Sequence, residues 1–370
     1  MTNPTTYKYI IAGGGTGGHI FPAVAIADAL KQHQPDCEIL FVGASGRMEM
    51  EKVPQAGYKI IGLEVVGLQR AVTLKNLLFP IKLIKSLFQA YKVVKDFKPN
   101  ACIGVGGYAS GPVLFVATLL GIKIFIQEQN SYPGITNKIL AHFANKIFVA
   151  YDNLGSYFKQ DKITLTGNPV RKDITNTLPA KNDANAFFNL SENKKTILII
   201  GGSLGARTIN EAIEKNIDFL TQNNLQLVWQ TGKGYYTGIL ERTKNLNIQD
   251  VKIFQFIKDM NMAYSAADII ISRAGALSIS ELCIVGKPAI LIPSPNVSED
   301  HQTKNAMALV NKNAAVLVKD IDAKEKLAEA LLSVLKDEKR LDELADNIKK
   351  LAKTNAANDI VTTIIQQLNY

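Results

Sequence analysis

Residues 13–19, Gly13-Gly14-Gly15-Thr16-Gly17-Gly18-His19, place five glycines and one histidine within seven positions. Glycine lets a backbone come close to a phosphate or a sugar, and a helix that starts just after it offers unpaired N–H groups and a positive dipole end. The run formally contains G-x-G-x-x-G at Gly13, Gly15 and Gly18. A dinucleotide site would also want a carboxylate at the end of the second strand. The run 38–42 instead leads into Gly43-Ala44-Ser45, so a nicotinamide cofactor is disfavoured. No G-x-x-x-x-G-K-[ST] occurs, which removes a P-loop. His19 closes the loop where a helix should begin. An imidazole titrates near neutral pH, so His19 is a candidate general base; the plainer alternative is a ring that only binds substrate or caps its own loop.

A second glycine turn, Gly201-Gly202-Ser203-Leu204-Gly205, opens another helical pattern and could hold a phosphate, with the Ser203 hydroxyl added. Tight packing of strand on helix would explain the same glycines. In the stretch 272–282, small residues around Ala274-Gly275-Ala276 would let a ligand lie against a helix start. Glu281, one turn in, could accept from a ribose diol or simply cap the helix.

These turns need strands and helices to hold them. Residues 7–12 and 196–200 are short apolar, β-branched runs, each followed by its glycine turn and then a helical pattern, 21–32 and 206–220. Strand, tight turn, helix is the opening unit of a doubly wound α/β domain. Finding it twice predicts two Rossmann-like domains. Further strands are expected over 38–42, 101–105, 123–127 and 146–150, and over 225–230, 251–254, 268–272, 289–292 and 315–318. Their continuous apolar character predicts mostly parallel sheets. The expected division falls near Thr166-Gly167-Asn168-Pro169, giving domains 1–167 and 168–352.

The 370 residues suit two domains, and 47% apolar against 20% charged residues is a globular composition. Cys37, Cys102 and Cys283 are scattered and odd in number, which suggests neither a disulfide framework nor a metal site. Residues 1–8 carry no apolar signal core, and no apolar run approaches membrane-spanning length. Of the net charge of +9, residues 1–170 hold +7, with 17 Lys and Arg against 10 Asp and Glu. A basic first half suggests an anionic partner. The stretch 74–95 carries apolar residues at helical spacing from Leu74 on, interleaved with Lys75, Lys82, Lys85, Lys92 and Lys95. Such a basic amphipathic helix suits an anionic membrane surface. Nucleic acid is not expected, since neither aromatic-basic interleaving nor a helix-turn-helix pattern is present.

Together the motifs resemble one family. Gly14–His19 with Phe21-Pro22 is similar to its GGTGGHxxP loop, residues 106–112 to GGYxSGP, Glu128-Gln129-Asn130 to HEQN, 167–171 to GNPVR, 201–206 to GGSxGA, and 273–281 to R[SA]GAxTxxE. The family is that of the UDP-N-acetylglucosamine–N-acetylmuramyl-(pentapeptide) pyrophosphoryl-undecaprenol N-acetylglucosamine transferases. Gln127 stands where the family often has His, and Ser278 where Thr is common. The resemblance implies the α/β GT-B architecture, with two Rossmann-like domains, the acceptor on the first and the nucleotide sugar on the second. It also implies that a last helix within about 353–370 returns to the first domain.

The implied reaction moves N-acetylglucosamine with inversion from UDP to the 4-hydroxyl of the lipid-linked muramyl-pentapeptide. That is a step of peptidoglycan and cell-wall synthesis, and so bears on cell shape, cell cycle and division. The alternatives are a related glycolipid glycosyltransferase or a UDP-N-acetylglucosamine epimerase. By the same resemblance His19 is the candidate base, with Glu128 the acidic alternative. The expected donor contacts are Thr16, Gly17, Gly18, Asn130, Arg171, Ser203, Ile257 through its backbone, Ala276, Leu277, Ser278, Ile279, Ser280, Glu281 and Gln302. The expected acceptor contacts are Gly106, Gly107, Tyr108 and Ser110. No cofactor and no protein-bound metal are expected. The enzyme should sit peripherally on the cytoplasmic face of the inner membrane.

Overall fold

Most of the apolar runs become strands because they are buried on both faces, where β-branched side chains pack well on a pleated surface, while residues 252–254 and 316–317 are half-buried. The computed structural model describes residues 6–65, 79–175, 177–202, 204–246 and 248–369. The chain separates into two units, one of residues 1–171 with 354–370, the other of residues 172–353.

The first unit holds a seven-stranded parallel sheet: β1 (Lys8–Ala12), β2 (Glu38–Ala44), β3 (Lys59–Leu63), β4 (Ala101–Gly104), β5 (Lys123–Glu128), β6 (Lys146–Val149) and β7 (Ile163–Leu165). Their order across the sheet is β3-β2-β1-β4-β5-β6-β7. The second holds six parallel strands: β8 (Lys195–Ile200), β9 (Leu225–Gln230), β10 (Val251–Phe254), β11 (Ile269–Ser272), β12 (Ala289–Leu291) and β13 (Val316–Leu317), in the order β10-β9-β8-β11-β12-β13. Both sheets are wound outward from their first strand in opposite senses. Loops leaving β1 and β4 therefore diverge, as do those leaving β8 and β11, and the crevice between diverging loops is where open α/β sheets take ligands.

Register follows burial. Ile10 of β1 pairs Leu40 of β2 on one side and Cys102 of β4 on the other. All three are buried within one apolar layer, while Tyr9 and Ile11 enter the opposite layer. Helix Ala356–Leu368 lays Ile360, Val361 and Ile364 into that second layer with Ile20, Ala23, Ile26 and Leu30 of helix Gly17–His33. Lys123 Nζ donates to the Gln367 carbonyl, which fixes the end of the chain against the sheet.

Two strands escape the sequence pattern. In β3, Lys59-Ile60-Ile61-Gly62-Leu63, only Leu63 is buried. β7 has three residues and none buried. Both are sheet edges, where one side meets water and no continuous apolar run is needed. The division also moves, from 167/168 to 171/172. The cause is Asn168: it is buried, accepts from Gln127 Nε2 at 2.9 Å and donates to the Gln129 carbonyl at 3.0 Å.

Candidate functional site

At the switch point of the first sheet, two glycine loops lock backbone to backbone. Gly14 N donates to the Gly106 carbonyl at 3.3 Å. A Cβ on Gly107, whose φ is +86°, would sit 2.3 Å from the Gly14 oxygen. Glycine is therefore required at Gly107 twice over, by its positive φ and by this approach.

The helix after the first loop begins inside the glycine run, at Gly17, earlier than the apolar pattern alone suggests. The Thr16 carbonyl accepts from both His19 N and Ile20 N at 3.1 Å. By helix geometry the N–H groups of Gly17 and Gly18 come before that first closure and lie at the positive dipole end. First-turn acids, which would repel a phosphate, are lacking. His19 is half-buried, with Nδ1 3.0 Å from the Gly14 carbonyl and 3.3 Å from Thr16 Oγ1. A carbonyl can only accept, so this contact puts the proton on Nδ1 and leaves the lone pair of the neutral ring on Nε2. Nε2 lies against Gly106, 2.9 Å from where a Cβ would stand.

Glu49, which sequence reasoning missed, braces the loop. It is 1% exposed, and its carboxylate accepts from Gly15 N at 2.8 Å and Ala44 N at 2.9 Å. Its place at the start of helix Glu49–Gln55 looks like ordinary helix polarity in the sequence. Only the tertiary fold aims it at the glycine loop.

Glu128 is enclosed by its own loop. One oxygen accepts from Asn130 N at 3.0 Å and Asn130 Nδ2 at 3.3 Å, the other from Gly134 N at 3.2 Å and Asn137 Nδ2 at 2.8 Å. Burial pushes its pKa up, against the pull of those four donors. A carboxylate so surrounded organises the 128–137 loop, and its geometry argues against a role as base. Gln127, where an imidazole was in question, is fully buried and spends its amide on Asn168. Of the expected acceptor contacts, Gly106 and Gly107 form the interlock and Ser110 is buried, its hydroxyl donating to the Gly107 carbonyl at 2.9 Å. Tyr108 is 55% exposed at the tip. Arg171 is half-buried and belongs to this unit, and Asn130 is half-buried beside Glu128.

The second unit repeats the interlock between the turns after β8 and β9. A Cβ on Gly205 (φ +79°) would lie 2.0 Å from the Thr231 carbonyl oxygen, so packing does govern this glycine. Ser203 lies outside the described residues. Gln230 links the turn to the loop after β10, donating to the Gly202 carbonyl at 3.2 Å and accepting from Ile257 N at 2.9 Å. The Ile257 N–H is thus occupied and its side chain is in the core, which leaves its carbonyl as the backbone group a base could meet.

Helix Ala276–Val285 follows β11 through Gly275. Its ladder starts with Ile279 N donating to the Gly275 carbonyl at 2.9 Å, and the N–H groups of Leu277 and Ser278 precede it. Ile279 is itself 2% exposed and corrects the expectation made of it: its N–H is used and its side chain faces the core. Ser280 donates its hydroxyl to the Ala276 carbonyl at 3.0 Å, while the buried Tyr264 hydroxyl donates to Glu281 Oε2 at 2.9 Å and fixes that carboxylate. Gln302 accepts from Ser294 N at 2.9 Å through Oε1, leaving its Nε2 as the end that could meet a ligand. Among the described residues no group of three His, Cys, Asp or Glu could hold a metal ion.

Two Rossmann-like sheets, each with a glycine turn leading into a helix at its switch point, define the class of fold. The chain matches the glycosyltransferase family 28 N-terminal domain over residues 9–149 and the C-terminal domain of that family over residues 196–362. It is 55% identical over 360 residues, 97% of each chain, to the UDP-N-acetylglucosamine–N-acetylmuramyl-(pentapeptide) pyrophosphoryl-undecaprenol N-acetylglucosamine transferase of Flavobacterium psychrophilum. To the protein of the same name from Parabacteroides distasonis it is 53% identical, over 97% of this chain and 98% of that one. The chain belongs to this family of transferases. Its structure is similar to the crystal structure of Acinetobacter baumannii MurG, with a TM-score of 0.79 at 29% identity, covering 98% and 99% of the two chains. The UDP-GlcNAc 2-epimerase of Neisseria meningitidis shares the fold, with a TM-score of 0.66 at 16% identity over 98% and 100% of the two chains.

Proposed function

We propose that this enzyme transfers N-acetylglucosamine from UDP-N-acetylglucosamine to the 4-hydroxyl of undecaprenyl-pyrophosphoryl-N-acetylmuramyl-pentapeptide, with inversion. The observation that carries this reading is identity above one half, over nearly the whole chain, to several proteins with that name. Epimerases share only the fold, and fold does not specify chemistry.

In the mechanism, His19 Nε2 takes the proton of the attacking hydroxyl while Nδ1 is held by the Gly14 carbonyl. The oxygen forms the new bond to the anomeric carbon as the bond to the UDP oxygen breaks. Negative charge then grows on the diphosphate, which the N–H groups at the start of helix Ala276–Val285, with Arg171, stabilise. Thr16, Gly17, Gly18, Asn130, Ser203, Glu281 and Gln302 complete the donor contacts. Gly106, Gly107 and Tyr108 face the acceptor, and Ser110 holds their loop from within. Glu128 shapes the loop that carries Asn130.

The surface that meets the lipid is helix Phe79–Phe97. Ile81, Ile84 and Phe88 are 64%, 56% and 72% exposed, interleaved with exposed Lys82, Lys85, Lys92 and Lys95. Such large exposed side chains grouped on one helix mark an interaction surface. Residues 74–78 of the basic stretch lie outside the described residues. Among the described residues no helix is long and apolar enough to cross a membrane, and the reading is peripheral attachment to anionic lipid on the cytoplasmic face, in service of cell-wall synthesis.

The test is transfer of radiolabel from UDP-N-acetylglucosamine to a short-chain analogue of the muramyl-pentapeptide lipid. Acceptor-dependent label in the lipid product, with a β-linkage, is expected. UDP-N-acetylglucosamine consumed without acceptor, or label passing only to a glycerolipid, would overturn the assignment.

A further inference from the structure

Gln129 lies between the two candidate acid–base residues of the first unit and has no part in the mechanism above. It is 2% exposed. Its Nε2 donates to the Val105 carbonyl at 2.8 Å and to Gln127, whose Oε1 accepts and whose carbonyl lies 3.3 Å away. Both partners are acceptors, so they fix the amide nitrogen on that side and turn Oε1 to the other. There Oε1 is buried with no hydrogen-bond partner. Buried polar atoms are nearly always paired, so an orphan carbonyl oxygen in a ligand crevice calls for an explanation.

The surroundings supply one. Oε1 is 3.6 Å from the point where a Gly106 Cβ would stand, and His19 Nε2 is 2.9 Å from the same point. The absent side chain of Gly106 is thus the space the two groups share. With His19 Nδ1 committed to the Gly14 carbonyl, a neutral ring presents a lone pair at Nε2 and has nothing to give Oε1. A cationic ring presents an N–H there.

We propose that Gln129 is a positioning residue for His19, its Oε1 accepting a hydrogen bond from Nε2–H once the imidazole is protonated. The proposal rests on His19 being the base. The amide then stabilises the imidazolium left when the acceptor hydroxyl gives up its proton, and it holds the ring between two carbonyl oxygens. Among the described residues the titratable groups next to this loop are Glu49, Tyr108 and Glu128, while Glu51 and Lys52, on the Glu49 helix, pair with each other. Glu49 is committed to Gly15 N and Ala44 N, Glu128 to its own loop, and Tyr108 is mostly in solvent. Gln129 Oε1 is the buried oxygen without a partner that borders the same Gly106 space as the ring.

The experiment is NMR titration of the histidine ring signals in the full chain, which has only four histidines, with His19 assigned by its loss in His19→Ala. Gln129→Met keeps the length and removes the oxygen. The His19 midpoint should fall by about 0.5 to 1 on the pH scale, because the cation loses its acceptor. The acid limb of kcat/KM should move with it. Gln127→Met removes the Oε1 that helps hold Gln129 Nε2 but leaves Gln129 Oε1 in place, so it should move the midpoint less than Gln129→Met does. An unchanged midpoint in Gln129→Met, or equal shifts in both variants, would overturn the proposal. A shifted His19 titration with an unmoved kcat/KM profile would uphold the contact and remove His19 as base. Circular dichroism on each variant separates these outcomes from misfolding.

Discussion

Replacing Glu49 by Gln changes two atoms' chemistry and almost no volume, yet it should damage both stability and transfer. The native carboxylate is 1% exposed and accepts from Gly15 N at 2.8 Å and Ala44 N at 2.9 Å, one oxygen to each. A glutamine can satisfy one of these N–H groups with its oxygen but must turn its NH2 toward the other. A hydrogen bond to a charged acceptor contributes about 1.5–3 kcal/mol, and a buried donor left unpaired costs about 1–3 kcal/mol. Allowing for relaxation of the loop, we expect the first unit to lose about 2–4 kcal/mol. Urea unfolding followed by circular dichroism would read the loss as an earlier first transition, with the transition of the second unit unmoved. Gly15 immediately precedes Thr16, whose carbonyl starts the helix that carries His19. Loosening there should lower kcat by about 10- to 100-fold through misplacement of the ring. Unfolding free energy within about 0.5 kcal/mol of the wild type, together with unchanged kcat, would refute the bracing role assigned to Glu49.

Further outcomes follow from the same geometry. His19→Ala should keep the fold and abolish acceptor-dependent transfer; retention of most of the rate would move the base elsewhere. Gly205→Ala forces a Cβ to 2.0 Å from a backbone oxygen at a φ of +79°, so the second unit should lose about 3 kcal/mol or more, and UDP-N-acetylglucosamine affinity should fall with it in calorimetry. Burial raises the Glu128 pKa above its ordinary 4.5, so the folded state binds that proton more tightly than the unfolded state. Its contribution is full below pH 4.5 and lost as pH rises through the folded value. Glu128→Gln, which cannot ionise, should therefore flatten unfolding free energy against pH above 4.5 in urea titrations; an unaltered slope would contradict the upward shift. Ile84→Ser with Phe88→Ser should leave soluble-analogue turnover intact and weaken sedimentation with anionic vesicles about tenfold or more, since each removes a large apolar side chain from the lipid.

The sequence by itself determined the architecture and the positions of its glycine turns. Apolar β-branched runs followed by glycine and a helical period admit few structures other than paired Rossmann-like units, because burying such strands on both faces demands helices above and below. Gly107 and Gly205 were legible as glycines, since nothing else could stand there. What those turns touch was decided only by the tertiary structure. That Gly107 meets Gly14, that Gly205 meets Thr231, and that Glu49 reaches Gly15 across 34 positions depends on sheet order, which local pattern does not encode. The edge strands β3 and β7 were missed for the complementary reason, because an edge needs no continuous apolar run. Ile279 was read as a contact, but the fold spends its N–H on Gly275, and of the Ile257 backbone it leaves the carbonyl once the N–H is spent on Gln230. A sequence shows which donors exist; only the assembled backbone decides which are already paired.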